Sequence, residues 1–215
     1  MFADFYEEIS KLHKRSPHPH RGHGIDHDIT VAQIVDWISP NPRVAQKAWC
    51  AALLHSVDHL VDKDNEGLVE QQTKQLLGHL PLRFFANYEL AEICQAAVRH
   101  GERNQDDQSL VQQVLMDADR LANLMPAVII RSGQFRPEIP AFEFDYLNGE
   151  RNPASTYHRP KSVADGLRAN IAEYLPMLRI IKAKELARQY ISDLETFLAA
   201  LEKSYEDLGM RGIKL

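Results

Sequence analysis

The most apolar helical stretch of this sequence ends in side chains that can do chemistry. Residues 45 to 54 are rich in alanine, leucine and tryptophan, which predicts a buried helix that continues to about residue 60. Four polar side chains occupy its last turns: His55, Ser56, Asp58 and His59. Side chains three or four positions apart share a helix face, and buried titratable groups need partners. On this run alone, a core histidine hydrogen-bonded at a helix end explains the pattern equally well.

Helical spacing of apolar residues recurs along the rest of the chain, interrupted by proline and glycine. Predicted helices span about residues 2–14, 26–38, 68–80, 88–100, 108–125, 163–178 and 181–208. The second of these begins after Asp26, which is a plausible N-cap. The pattern predicts an all-α protein with a single helical bundle over residues 1–215.

Residues 126–161 depart from this pattern because they contain five prolines and scattered glycines. Aromatic and acidic residues alternate over residues 142–146, and Asn148-Gly149 follows them, which predicts a small hairpin there. We expect the segment to be an irregular excursion without a further regular helix, and to act as a lid over a ligand site. Four basic side chains of the segment are candidates to meet an anion: Arg131, Arg136, Arg159 and Lys161.

Composition narrows the classes of function. The net charge is -5 and the pI is near 6.1, which argues against an extended nucleic-acid-binding surface. The two cysteines, Cys50 and Cys94, lie in apolar helical patterns and suggest a reducing compartment. No apolar run is long enough to cross a membrane, and no signal-peptide pattern is present. We therefore expect a cytoplasmic protein.

Three predicted helices each bring one candidate metal ligand to an apolar face. His27 begins the buried stripe of one helix, His55 ends that of another, and Asp117 or Asp119 flanks that of a third. Two histidines and a carboxylate from separate helices form a suitable set for a divalent metal inside a helical bundle. Periodicity cannot choose between the two aspartates, since Asp117 follows Val114 by three positions and Asp119 follows Leu115 by four.

At this point the sequence resembles the HD superfamily of metal-dependent phosphohydrolases, in particular its bacterial members of roughly 220 residues. The matching runs are His23-Gly-Ile-Asp-His27-Asp-Ile-Thr-Val31, Ala51-Ala-Leu-Leu-His55 and Asp117-Ala-Asp-Arg-Leu121. Their order and their helical context agree with the family. The resemblance implies an HD-type helical bundle with metal ligands His27, His55 and Asp119. Further candidates for the site are His23, Ser56, His100 and Asp117.

One position departs from the family pattern. The family takes its name from adjacent His and Asp ligands, whereas Ser56 follows His55 here. A neutral hydroxyl is a poor ligand for a divalent cation. Asp58 or His59, each one turn from His55, would restore a fourth ligand by swinging inward.

The resemblance implies a mechanism in which a divalent metal activates water for attack on phosphorus. Because two ligands are imidazoles, Mn, Fe, Co or Ni is expected rather than Mg. Asp58 or His59 would orient or deprotonate the water. Nucleotides or other small phosphate esters are the substrate class that the family implies.

Two alternatives remain open. One is a degenerate HD protein that binds a ligand or partner without turnover, with Ser56 marking a lost metal site. The other uses the two-histidine, one-carboxylate set for iron and oxygen chemistry.

Overall fold

The all-α fold predicted from the sequence is confirmed. The computed structural model describes residues 2–16, 22–61, 66–81, 84–147, 149–155 and 159–210, and this part of the chain contains helices and no β-strand. In chain order the helices are α1 (Ala3–Arg15), α2 (Ile25–Ile38), α3 (Pro42–Leu54), α4 (Val57–Leu60), α5 (Glu66–Leu77), α6 (Asn87–Val98), α7 (Leu110–Ala122), α8 (Val128–Phe135), α9 (Val163–Met177) and α10 (Ile181–Asp207). None of them is both long and apolar enough to cross a membrane.

Contacts within the chain define two compact units, Met1–Asp119 and Arg120–Leu215, with the boundary inside α7. The prediction of one domain over residues 1–215 stays a prediction.

Helix α3 lies at the centre of the unit Met1–Asp119, where it packs against both α2 and α6. Its N-terminus is capped by the Asn41 side chain, which accepts a 3.0 Å hydrogen bond from the Val44 amide, and Pro42 occupies the first helical turn. Aliphatic side chains of both helices are buried, among them Leu54 of α3 and Val35 of α2. Each contributes roughly 1.5–3 kcal/mol through burial, so the helix ends are held in fixed positions.

The predicted continuous helix over residues 45–60 is interrupted at the chemically important point. α3 ends at Leu54, and the short α4 begins at Val57 after a turn formed by His55 and Ser56. The backbone of Ser56 has φ -84° and ψ 4°, which lies between helical and extended geometry. His55 keeps helical φ and ψ as the C-cap of α3, whereas Ser56 leaves the helical geometry. Both side chains have polar partners, Ala52 for His55 and Asp28 for Ser56.

Helix α2 begins two residues earlier than the sequence suggested. Its N-cap is Gly24, and Asp26 lies inside the first turn instead of capping it. A Cβ atom at Gly24 would lie 2.5 Å from Oδ1 of the exposed Asp26 side chain, which would have to rotate away. The result is that His27 and Asp28 both belong to the first turn of α2, and both are buried.

In the unit Arg120–Leu215, α9 packs against both α8 and α10. The expectation that residues 126–161 hold no regular helix was wrong, because α8 occupies Val128–Phe135. The predicted hairpin is also wrong for the described residues, since Phe144–Tyr146 forms a 3₁₀ turn. Asn148 lies outside the described residues. The prediction that this segment acts as a lid stays a prediction.

Aromatic packing explains why the 3₁₀ turn replaces a hairpin. The rings of Phe142 and Phe144 both contact Tyr205 of α10, with centroid distances of 4.4 and 5.9 Å. In a β-strand, residues two apart would also share a face, so the alternation alone did not distinguish a hairpin strand from the observed 3₁₀ turn. The helix α10 supplies the apolar partner that a second strand would otherwise have supplied.

Candidate metal centre

Two imidazoles and one carboxylate gather in the unit Met1–Asp119. Nε2 of His27 lies 3.2 Å from Nε2 of His55 and 3.2 Å from Oδ1 of Asp119. The third distance, from Nε2 of His55 to Oδ1 of Asp119, is 3.9 Å. The three side chains come from the start of α2, the end of α3 and the body of α7, so helix packing brings together residues that are far apart in sequence.

These spacings fit a single divalent ion. Ligand atoms about 2.1 Å from a metal and adjacent in its coordination sphere lie roughly 3.0–3.4 Å from each other. Two of the three observed distances fall in that range, and the third is slightly longer. Two imidazole nitrogens at 3.2 Å also need a proton or a cation between them, because their lone pairs would otherwise repel. The donor set therefore suits a cation.

The backbone fixes the orientation of the His55 ring. Its Nδ1 lies 2.6 Å from the carbonyl oxygen of Ala52, and since a carbonyl only accepts, Nδ1–H must donate. Burial lowers the pKa of the His55 imidazole to about 4, although the carboxylates of Asp28 and Asp119 act in the opposite direction. His55 is thus held as a neutral ring whose Nε2 lone pair faces His27 and Asp119. This is the form that binds a metal.

The structure distinguishes the two aspartates that periodicity left open. Asp119 contributes its Oδ1 to the cluster, and 24% of its side chain is exposed, so a ligand can approach it. Asp117 is fully buried and does not belong to this group of ligand atoms. Burial acts to raise the pKa of Asp119, but the hydrogen bond from His27 and the nearby His55 hold that pKa well below its ordinary value.

More imidazoles surround the cluster. The His23 ring lies 5.3 Å from His27 and 4.3 Å from His59, measured between ring centroids, and His100 lies 5.1 Å from His55. Nδ1–H of His100 donates to the carbonyl oxygen of Ala97 at 2.8 Å, which leaves its Nε2 available to a ligand. His23, His59 and His100 thus line the surroundings of the three central ligand atoms.

Asp58 and His59, predicted to act on water, lie together on α4. Oδ1 of Asp58 is 3.8 Å from Nε2 of His59, and about a third of each side chain is exposed. Neither belongs to the close group formed by His27, His55 and Asp119. They therefore stand beside that group in the structure and not within it.

A buried carboxylate that sequence reasoning missed lies behind the cluster. Asp28 is 1% exposed, and its Oδ2 lies 2.8 Å from Nε2 of His13 on α1. Its Oδ1 accepts a 2.5 Å hydrogen bond from the Ser56 hydroxyl and lies 3.5 Å from Nδ1 of His55. The available signal was an acid directly after His27 at the start of an apolar helix, where burial is costly without partners.

Arg120, which follows the cluster aspartate, belongs to the other unit. Its Nη1 donates to the carbonyl oxygen of Met177 at 3.1 Å, and the side chain is buried. The guanidinium therefore stabilises the C-terminal end of α9.

Residues 24–124 match the model of the HD domain. The chain contains an HD domain over these residues. The matched range includes His27, His55 and Asp119, so the clustered side chains all lie inside the HD domain. No curated protein matches the sequence.

Solved structures share the fold over almost the full length of the chain. A protein from Lactobacillus plantarum is 17% identical with a TM-score of 0.68, covering 96% of this chain and 97% of its own. An HD-superfamily hydrolase from Bacillus thuringiensis is 15% identical, with a TM-score of 0.62 and coverage of 95% and 96%. Bacillus subtilis YpgQ, solved in complex with ADP, is 16% identical, with a TM-score of 0.61 and coverage of 93% and 97%. At these identities the likeness concerns the fold.

Proposed function

We propose that this protein is a metal-dependent phosphohydrolase that acts on nucleotides or other small phosphate esters. The observation that carries the proposal is the close grouping of His27, His55 and Asp119 inside an HD domain. These three residues would hold one divalent ion. Two imidazole ligands favour Mn, Fe, Co or Ni over Mg, which prefers oxygen ligands alone.

When bound, the ion would supply Lewis-acid polarisation of a phosphate oxygen and a lowered pKa for water. The chain itself supplies orientation and proton handling. Nδ1–H of His55 is held by Ala52, so the ring cannot turn its other nitrogen away from Asp119. A substrate phosphate would thus meet a preformed polar surface.

Asp58 and His59 are the proposed acid–base pair. Both side chains are partly exposed, so water can reach them, and Nε2 of His59 lies 3.8 Å from Oδ1 of Asp58. The His59 ring also stacks near His23 at 4.3 Å, which restricts its orientation. A restricted, accessible imidazole next to a carboxylate can accept a proton from water as phosphorus is attacked.

The nucleotide class is supported by chemistry and by one relative. Bacillus subtilis YpgQ shares this fold and was solved in complex with ADP. Imidazoles of His23 and His59 beside the ligand group would donate hydrogen bonds to phosphate oxygens. A nucleoside di- or triphosphate is therefore the first substrate class to test.

The test is release of phosphate or pyrophosphate from a panel of nucleoside mono-, di- and triphosphates in the presence of Mn²⁺. We expect activity in the wild-type protein and its loss in His55→Ala and Asp119→Asn. The exposed His79, outside the site, gives the matched control His79→Ala, which should retain activity. Binding of Mn²⁺ and nucleotide without any release would contradict the enzyme proposal. It would favour the alternative of a binding protein, for which Ser56 in place of the family aspartate is the motivating observation.

A further inference from the structure

Ser56 is better placed for metal binding than its residue type suggests. The side chain is fully buried, and its Oγ lies 2.5 Å from Oδ1 of Asp28 and 3.5 Å from Nε2 of His55. A hydroxyl has one proton and two lone pairs, whereas a carboxylate oxygen accepts. The Ser56 proton is therefore directed to Asp28, and the oxygen lone pairs remain for another partner.

The distance from the Ser56 oxygen to Nε2 of His55 indicates that this partner is a metal ion. Nε2 of His55 has no proton to give to Ser56, because the ring proton is on Nδ1 and is donated to Ala52. Two atoms with lone pairs, 3.5 Å apart, lie near the spacing of roughly 3.0–3.4 Å expected for adjacent ligands of one ion. The Ser56 oxygen thus lies next to the ligand nitrogen of His55.

Asp28 is held so that it can act only through neighbouring side chains. It is 1% exposed, and its second oxygen lies 2.8 Å from Nε2 of His13. Burying a carboxylate is expensive unless it is hydrogen-bonded on both oxygens, as it is here. Hydrogen bonds to a charged acceptor are short and strong, and they increase the electron density on the donor oxygen.

We propose that the hydroxyl oxygen of Ser56 is a fourth protein ligand to the metal, beside His27, His55 and Asp119, and that Asp28 is the positioning residue that orients and polarises it. The buried pair Ser56–Asp28 would then replace the aspartate that other HD proteins carry next to the histidine that corresponds to His55. Asp28 on α2 would provide the negative charge. This inference rests on the proposed metal site.

The first test measures Mn²⁺ affinity by calorimetry on metal-free protein, for wild type, Asp28→Asn, Ser56→Ala and the double variant. Removing a residue that orients a ligand typically costs about 10- to 100-fold in metal affinity, and we expect a loss of that size in each single variant. Because Asp28 acts through Ser56, the double variant should be no weaker than Ser56→Ala. An additional loss in the double variant would overturn the proposal.

Asp165 supplies the matched control. It is as buried as Asp28, lies on α9, and pairs with Arg151 at 3.3 Å. Asp165→Asn should lower the melting temperature while leaving Mn²⁺ affinity unchanged. A loss of affinity in Asp165→Asn equal to that in Asp28→Asn would show that the effect is general destabilisation, and would overturn the assignment.

Moving the carboxylate from position 28 to position 56 by substitution tests the positioning role of Asp28 directly. In Ser56→Asp the new carboxylate faces Asp28, so like-charge repulsion should lower the melting temperature of the metal-free protein. Adding Asp28→Asn should restore that temperature and give Mn²⁺ affinity at least equal to wild type. If Asp28→Asn instead weakens binding as much in the Ser56→Asp background as in wild type, Asp28 does not act through position 56.

The outcomes separate this inference from the proposed function. Wild-type Mn²⁺ binding with an unaffected Ser56→Ala variant would overturn the inference and leave the hydrolase proposal intact. Weakened binding in both single variants, without phosphate release from any nucleotide, would support the inference and contradict the hydrolase proposal. If Asp28→Asn fails to fold, as judged by circular dichroism, the Mn²⁺ affinities of two other variants decide. These are Ser56→Ala and the double variant that combines Ser56→Asp with Asp28→Asn.

Discussion

Two regions of the molecule are rich in polar groups, and they differ in how far those groups are buried. The residues around His27 and Asp28 are buried among helices and paired with one another at short distances. In the segment 126–161 of the other unit, the charged side chains that the structure describes are exposed or half-buried, and Lys161 is exposed. Solvated charges cost little, whereas buried ones cost several kcal/mol unless paired. The candidate metal ligands belong to the buried region, where each polar group depends on its partners.

The largest effect should come from removing an imidazole of the cluster. His27→Ala should weaken Mn²⁺ binding by more than about 100-fold, since even indirect changes near a metal site cost about 10- to 100-fold. Calorimetry on metal-free protein would measure this. His79→Ala is the control and should bind like wild type. Unaltered metal content in both His27→Ala and His55→Ala would show that the cluster is not a metal site.

The next effect concerns the core that positions the site. Leu54 is 1% exposed and directly precedes His55 at the end of α3. Leu54→Ala should lower the free energy of unfolding by about 2–5 kcal/mol, because it removes buried surface and leaves a cavity. Urea denaturation would measure the loss. A change below about 1 kcal/mol would mean that this part of the core relaxes around the cavity.

A smaller effect is expected in the segment 126–161. The Phe142 ring lies 4.4 Å from Tyr205 and 5.1 Å from Phe144, so Phe142→Ala removes two aromatic contacts at a partly exposed position. We expect a loss of about 1–2 kcal/mol, from contacts worth about 0.5–1.5 kcal/mol each, without any change in Mn²⁺ affinity. A loss of metal affinity in this variant would break the contrast between the two regions.

The smallest effect should follow Lys161→Ala. The ammonium group is exposed, and it is the backbone amide of Lys161 that donates to the Ser155 hydroxyl at 2.9 Å. Alanine keeps that amide, so stability should change by less than about 0.5 kcal/mol. Thermal unfolding would measure it. A markedly larger change would show that the lysine side chain supports the segment.

The sequence was a good guide to helices and a partial guide to the site. Apolar periodicity predicted helices close to α1, α9 and α10, because that period depends only on which face of a helix is buried. It failed for α8 and for the 3₁₀ turn after Phe142, where proline content and alternation favoured irregular or extended structure. In that segment, packing on Tyr205 outweighed local preference.

What the sequence determined by itself is the all-α architecture and the candidate ligands His27 and His55 on separate buried faces, since both follow from local spacing. Periodicity left Asp117 and Asp119 equivalent, and the choice of Asp119 came from the family resemblance. The tertiary structure brings Asp119 to the two histidines through the rotation of α7. It also decided that Ser56 faces Asp28. Such contacts between helices depend on packing angles and on the turn after Leu54, which no local pattern encodes.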